Sequence, residues 1–212
     1  MAEEDPNGNG GRREAVGTQE ERDRLINAFT RLAAEQGYSK TSIDEVSASA
    51  GLPPTSFFEY FDSKAQLLEA AHDAFFERLA EQAKDACRGE ETWPAGVKAA
   101  VTATFEFLLE TASRARLFMV EASAGGVPLF ERKLALTRRF ADLLEEGRMR
   151  VLPPADLPAS TEWILVGGAL ARISEVLLAE EPGALVDLEP EVVELILMPY
   201  VGPEEARRAA GI

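Results

Sequence analysis

Residues 51–64, read as "GLPPTSFFEYFDSK", hold the residue types and spacings most suited to recognition chemistry. Phe57 and Phe61 are four apart and share one face of a helix, with Tyr60 flanking it. That face is expected to pack inward. Pro54 and Phe58 share a second face, with Thr55 and Glu59 beside them. Hydroxyls such as those of Thr55 and Ser56 bond base edges or phosphates, and a Thr methyl, a Pro or a Phe contacts thymine methyls. Glu59 can accept from cytosine N4 or simply face solvent. The stretch carries no Lys or Arg before Lys64. Phe58 and Tyr60 are open between packing and DNA contact.

Covalent chemistry has little to work with. His72 is the lone histidine and Cys87 the lone cysteine, so neither a metal site nor a thiol pair is expected. The carboxylates are spread over helix surfaces with no Ser, His or metal constellation beside them, so no catalytic residue and no cofactor is assigned.

These side chains must be positioned by helices. Leu25, Phe29, Leu32 and Ala33 form one apolar stripe, predicting a helix over Thr18–Gln36 with Thr18 and Glu21 as its capping box and Gly37 as its stop. Ser42 with Glu45 caps a second helix over Ser42–Ala50, with Ile43, Val46 and Ala50 as its buried stripe, ended by Gly51. Pro54 suits the first position of a short third helix that ends at Asp62. Two helices joined by a short turn containing glycine are the helix-turn-helix arrangement. Ser63 with Gln66 opens a long fourth helix over Lys64–Arg88. Further helices are expected over Pro94–Ala112, Arg114–Ala122, Pro128–Val151, Ser160–Glu180, Pro190–Val201 and Pro203–Ala210.

Charge and composition narrow the class. The net charge of −15 argues against a general polyanion binder, while a specific binder with a local basic patch stays open. With one cysteine, no disulfide forms within the chain, which suits a reducing cytoplasm. The polar, acidic start does not read as a signal peptide, and no apolar run is long enough for a membrane span. A cytoplasmic protein with no membrane partner is expected.

Residues 22–71 resemble the N-terminal domain of TetR-family transcriptional repressors. The matching features are Gly37-Tyr38, Thr41-Ser42, Ala50-Gly51, Phe57-Phe58, Tyr60-Phe61 and Ser63-Lys64. Beyond residue 88 the likeness is one of helix layout. The tail "VVELILMPYVGPEEARR" also resembles a closing dimerisation helix of such proteins.

The resemblance implies an all-α protein in three parts: an N-terminal arm over 1–17, expected to be disordered; a three-helix DNA-binding module over 18–63; and a ligand-binding and dimerisation domain over 64–212. It implies a ligand-responsive repressor, with no enzyme activity, that binds a palindromic double-stranded DNA operator as a homodimer. It makes Lys64 a phosphate contact. The DNA-binding set is Lys40, Thr41, Ser42, Pro54, Thr55, Ser56, Phe58, Tyr60 and Lys64, with Arg12 and Arg13 as candidates in the arm.

The resemblance also implies a small-molecule effector, apolar or cationic, held between helices four and eight. Phe76, Phe105, Leu108, Leu109, Phe118, Met119 and Trp163 are placed nearest its pocket. Glu106 and Glu121 either face a cationic ligand or lie on the surface. The apolar helices at about 160–180 and 190–201 are expected to form the dimer bundle, with Gly167-Gly168 allowing close approach. Two departures from the family pattern stand out. Phe58 lacks the hydroxyl of the usual phosphate-binding Tyr, and Pro54 replaces a basic or polar residue. Fewer phosphate contacts and a shallow salt dependence follow. The alternative is a protein of the same fold that has lost its operator and serves a protein partner.

Overall fold

The computed structural model describes residues 10–121, 126–151 and 157–212, apart from the side chains of residues 10–18, 150 and 151. Among these residues it contains ten α-helices and no strand. The chain divides into two compact units, residues 1–73 and 74–212.

In the first unit, α1 (Gly10–Gln36) precedes a 3-10 turn at Tyr38–Lys40, α2 (Ile43–Ser49), α3 (Pro54–Tyr60) and the start of α4 (Lys64–Cys87). The core is the stripe the periodicity predicts: Leu25, Phe29 and Ala33 of α1, with Val46, Phe57, Phe61, Leu67 and Leu68, are all buried. Each large apolar side chain removed from water contributes about 1.5–3 kcal/mol before entropy is counted.

Two boundaries differ from the sequence reading. α1 starts at Gly10, so the helix runs through 10–17, assigned above to the arm, and Thr18 is not its start. Arg12, Arg13, Glu14 and Ala15 are good helix formers, so they extend a helix already nucleated by its packed face. Residues 1–9 of the arm and the Arg12 and Arg13 side chains lie outside the description. The two units meet inside α4, after Asp73 and not after Ser63. The buried Leu67, Leu68 and Ala71 give the first turns of α4 to the first unit.

The second unit holds the rest of α4, then α5 (Trp93–Glu110), α6 (Ala112–Met119), α7 (Val127–Val151), α8 (Thr161–Leu178), α9 (Leu185–Val201) and α10 (Pro203–Ala210). α7 packs along α8, while α9 packs against α5 and α10. Phe75 of α4 sits between Phe107 of α5 and Phe118 of α6, each ring centroid 5.1 Å away. α9 begins five residues before the predicted Pro190, because Leu185 and Leu188 anchor its first turn in the core. Pro190 then costs one backbone bond inside the helix. The predicted helix end at Ala122 and most of the punctuating segment 152–158 fall outside the described residues.

A charged group is buried here as well. Arg148 Nε donates to Glu162 Oε1 at 2.9 Å, and the Tyr200 hydroxyl donates to the same oxygen at 2.8 Å. Among the described residues, no helix is long and apolar enough to cross a membrane.

Candidate nucleic-acid interface and effector cavity

The helix-turn-helix is set by short-range bonds. Ser42 Oγ accepts from the Glu45 backbone N–H at 3.2 Å, and the Ser42 N–H donates to Glu45 Oε2 at 2.9 Å, closing the predicted capping box. That backbone donation, and then the Ser42 hydroxyl, lower the pKa of Glu45. At the far end of α2, Gly51 takes φ +71°. This left-handed geometry is cheap for glycine and lets Leu52 N–H return to Ser47 O at 2.9 Å. Pro53 and Pro54 then start α3.

α3 sorts its faces as the spacing requires. Phe57 and Phe61 are buried, whereas Phe58 is 62% exposed and Pro54, Thr55 and Glu59 are exposed. Ser56 is half-buried. Tyr60 turns to α1, where its hydroxyl donates to Glu21 Oε2. Pro54, Thr55, Phe58 and Glu59 therefore form the accessible face.

The residues around the start of α2 behave differently from one another. Lys40 and Ser42 are exposed. Thr41 is 1% exposed, and its hydroxyl donates to Gly37 O at 3.0 Å. Its side chain is thus a plug under the turn; what it offers outward is backbone. Lys64 Nζ donates to Tyr38 O at 3.0 Å and Thr41 O at 2.9 Å, and lies 4.4 Å from the Tyr38 ring centroid. Two of the three ammonium donors are taken, leaving one to point outward.

The other cations are engaged as well. Arg22 lies over the Phe61 ring, Arg24 pairs with Glu21, and Arg31 bonds Ser49 and Glu35. Lys40 is the one cation among the described side chains of this unit with no such engagement.

The second unit contains a cavity of about 730 Å³. α4 contributes Phe76, Leu79, Ala80 and Ala83; α5 contributes Val97, Val101, Phe105 and Leu108; α8 contributes Val166, Ala169 and Ile173. Met119, Phe140, Leu143, Leu144, Leu170, Val192 and Ile196 also belong to the apolar wall. A site of this size, lined mainly by apolar groups, suits a small organic ligand. Lys84, Cys87, Arg88, Glu90, Glu91 and Glu146 also line it, and all are exposed. The Cys87 thiol donates to Gly96 O at 3.3 Å, and burial, then Glu90, raise its pKa.

Of the residues placed nearest the pocket, Phe76, Phe105, Leu108 and Met119 line this cavity. Leu109, Phe118 and Trp163 do not. Phe118 is spent in the Phe75 ring cluster. Leu109 is half-buried outside the wall. Trp163 follows the buried Glu162 by one residue, which turns it about 100° off the buried face of α8. It is 43% exposed. Glu106 and Glu121 are surface residues outside the wall.

Trp93 was missed as a wall residue. Its indole stacks edge-on with Tyr200 at 5.0 Å and lies so close to Gly147 that a Cβ there would come 2.6 Å from Nε1. Its signal was the glycine in an otherwise good helix former run, "LLEEGRMRV". Of the two glycines expected to admit a partner, Gly167 faces Thr137 of α7 and Gly168 faces open space.

Residues 25–71 match the model of the bacterial regulatory proteins of the tetR family. An uncharacterized HTH-type transcriptional regulator of Haemophilus influenzae is 28% identical over 134 residues, covering 62% of this chain and 65% of that protein. This chain therefore spans just under two thirds of that relative's length. Two solved structures share the fold. FadR from Bacillus subtilis, in complex with stearoyl-CoA, has a TM-score of 0.68 at 16% identity, over 84% of this chain and 97% of the other. RolR, in complex with resorcinol, has a TM-score of 0.65 at 22% identity, over 92% and 95%.

Proposed function

We propose that this chain, whose residues 25–71 match the model of the bacterial regulatory proteins of the tetR family, is a ligand-responsive, DNA-binding transcriptional repressor. The observation that carries this reading is the accessible face of α3, with Pro54, Thr55, Phe58 and Glu59 outward on a closed helix-turn-helix. A helix presented this way enters a major groove and reads base edges through its first turns. Lys40, the outward donor of Lys64 and the capped starts of α2 and α4 hold phosphates.

The protein acts as a homodimer on a palindromic operator. Trp163, Ile164 and Leu178 of α8 and Val186, Leu195 and Met198 of α9 are exposed large apolar side chains, and a second copy covers them. The two α3 helices then sit one DNA turn apart, roughly 34 Å. The effector occupies the cavity and displaces α4, the helix shared by both units. Release requires that the effector favour the DNA-free state, typically by about 1–3 kcal/mol.

A second reading, a protein of this fold that has lost its operator, is favoured by one observation. The described cations of the first unit other than Lys40 are engaged by partners of their own. A gel-shift scan of the protein's own promoter region separates the two. A shift at a palindrome, lost in Thr55→Ala combined with Lys40→Ala, supports the repressor. No shift with any fragment supports the second reading.

A further inference from the structure

We propose that the cavity of the second unit takes a single-chain amphiphile, its hydrocarbon body lying along α4 and its head held at the rim formed by residues 84–92. This rests on the reading of the cavity as the effector site and specifies the chemistry of its occupant.

The wall changes character along its length. On α4 the lining residues from Phe76 to Ala83 are apolar, and those that follow, Lys84, Cys87 and Arg88 just past the helix end, are polar. From Phe76 to Cys87 is eleven residues, or about 16 Å of helix. α5 runs the opposite way, from Trp93 near the rim to Leu108 at the other end. Phe75 meets Phe107 at one end and the Cys87 thiol meets Gly96 O at the other, which makes the pairing antiparallel. Glu146 of α7 belongs to the rim as well, since its neighbour Gly147 abuts Trp93. Charge is thus gathered at one end of a long apolar trough.

The deep end rejects ligands with several polar groups. Among the described residues its one polar wall residue, Thr104, donates its hydroxyl proton to Ala100 O at 2.8 Å. A ligand acceptor atom placed there gives up its water without a donor among the described lining side chains, and a ligand donor finds only the Thr104 oxygen. A plain chain loses nothing and gains with each methylene.

The rim also ranks the heads. Arg88 is held by Asp85 at 2.7 Å, leaving Lys84 against Glu90 and Glu91 beside the Trp93 indole. A cationic head is favoured over a carboxylate of equal chain length, by an amount that salt reduces.

The test uses the full chain with Trp163→Phe, so that Trp93 reports alone. Alkyltrimethylammonium salts and alkanoates of graded length, kept below micelle formation, are titrated against Trp93 fluorescence. Affinity is expected to rise about fourfold per methylene and then level off. Ala80→Leu should move the levelling point to shorter chains and Leu108→Ala to longer ones. Affinity independent of chain length, or a levelling point unmoved by both variants, overturns the proposal. Tighter binding of the alkanoates overturns the assignment of the head.

Operator binding, followed separately by gel shift, distinguishes the two failures. A shift with no amphiphile binding sinks this inference alone; amphiphile binding without a shift sinks the repressor reading alone.

Discussion

Lys64 Nζ donates to the Thr41 carbonyl at 2.9 Å, tying the first residue of α4 to the residue before the N-cap of α2. The same ammonium holds Tyr38 O. The lysine that a DNA-binding reading would spend on phosphate is therefore first a clasp between two helix starts.

Lys64→Met should lower the stability of the protein by about 1.5–3 kcal/mol, the usual loss for hydrogen bonds to a charged donor. Thermal or urea unfolding measures this. A purely phosphate-directed lysine would leave stability untouched and reduce the salt slope of operator binding by about one.

Phe58 and Phe57 are adjacent in sequence and opposite in role. Phe57→Ala should cost about 3–5 kcal/mol, because it empties a fully buried site. Phe58→Ala should cost under about 0.5 kcal/mol, as expected for an exposed surface position. Phe58→Tyr should keep stability and tighten operator binding several-fold, by about 0.5–1.5 kcal/mol for one added hydrogen bond. Fluorescence anisotropy with labelled operator checks it; unchanged affinity would remove Phe58 from the phosphate contacts.

Gly147→Ala forces the Trp93 indole to move, because the new Cβ would lie 2.6 Å from Nε1. Tyr200 stacks on the same ring and limits its escape. The expected cost is about 1–3 kcal/mol of overpacking, set against less than about 1 kcal/mol of helix propensity gained. A changed Trp93 emission spectrum and weaker amphiphile binding should accompany it.

Glu162 compensates a buried guanidinium, so Glu162→Ala should cost about 3–5 kcal/mol by leaving Arg148 with only the looser contact to Glu145 at 4.0 Å. Tyr200 supplies the pH arm. Burial first, and then its bond to Glu162, push its pKa above the ordinary value of 10.0. A raised folded pKa means full stability below the unfolded value, with loss as pH climbs past about 10. Melting temperatures at about pH 8 and about pH 11 should fall further for the natural chain than for Tyr200→Phe. Equal falls would show that Tyr200 carries no such linkage.

Arg139 makes a bidentate pair with Glu77, at 2.6 and 3.0 Å, joining α7 to the second half of α4. Both side chains are substantially exposed, so Arg139→Met should cost less than about 1 kcal/mol. Their neighbours Phe140 and Phe76 line the cavity, so effector-driven release of operator should change more than stability does. Parallel denaturation and gel-shift titrations separate these effects.

The helix-turn-helix was legible from sequence because its signals are short-range. Ser42 with Glu45, Gly51, and Pro53 with Pro54 each act on backbone within four residues, and the Phe57–Phe61 spacing follows from helix geometry alone. The same period placed Phe76, Phe105 and Leu108 on inward faces. Periodicity says that a residue is buried. Whether it lines a cavity or fills a core depends on which helix lies opposite, and so Phe118 went to the Phe75 cluster while Trp93 entered the wall.

Charged residues were the least legible. A lone Lys64 reads as a surface cation, and a lone Glu162 as a solvated helix residue. Their partners lie 23 and 26 residues away for Lys64, and 14 and 38 away for Glu162. Local sequence decided where α2 and α3 begin and end and how the helices turn their apolar faces, while packing moved the start of α9. Tertiary packing alone decided which charges are buried, because the cost of burying one is met by groups that only folding brings within 3 Å.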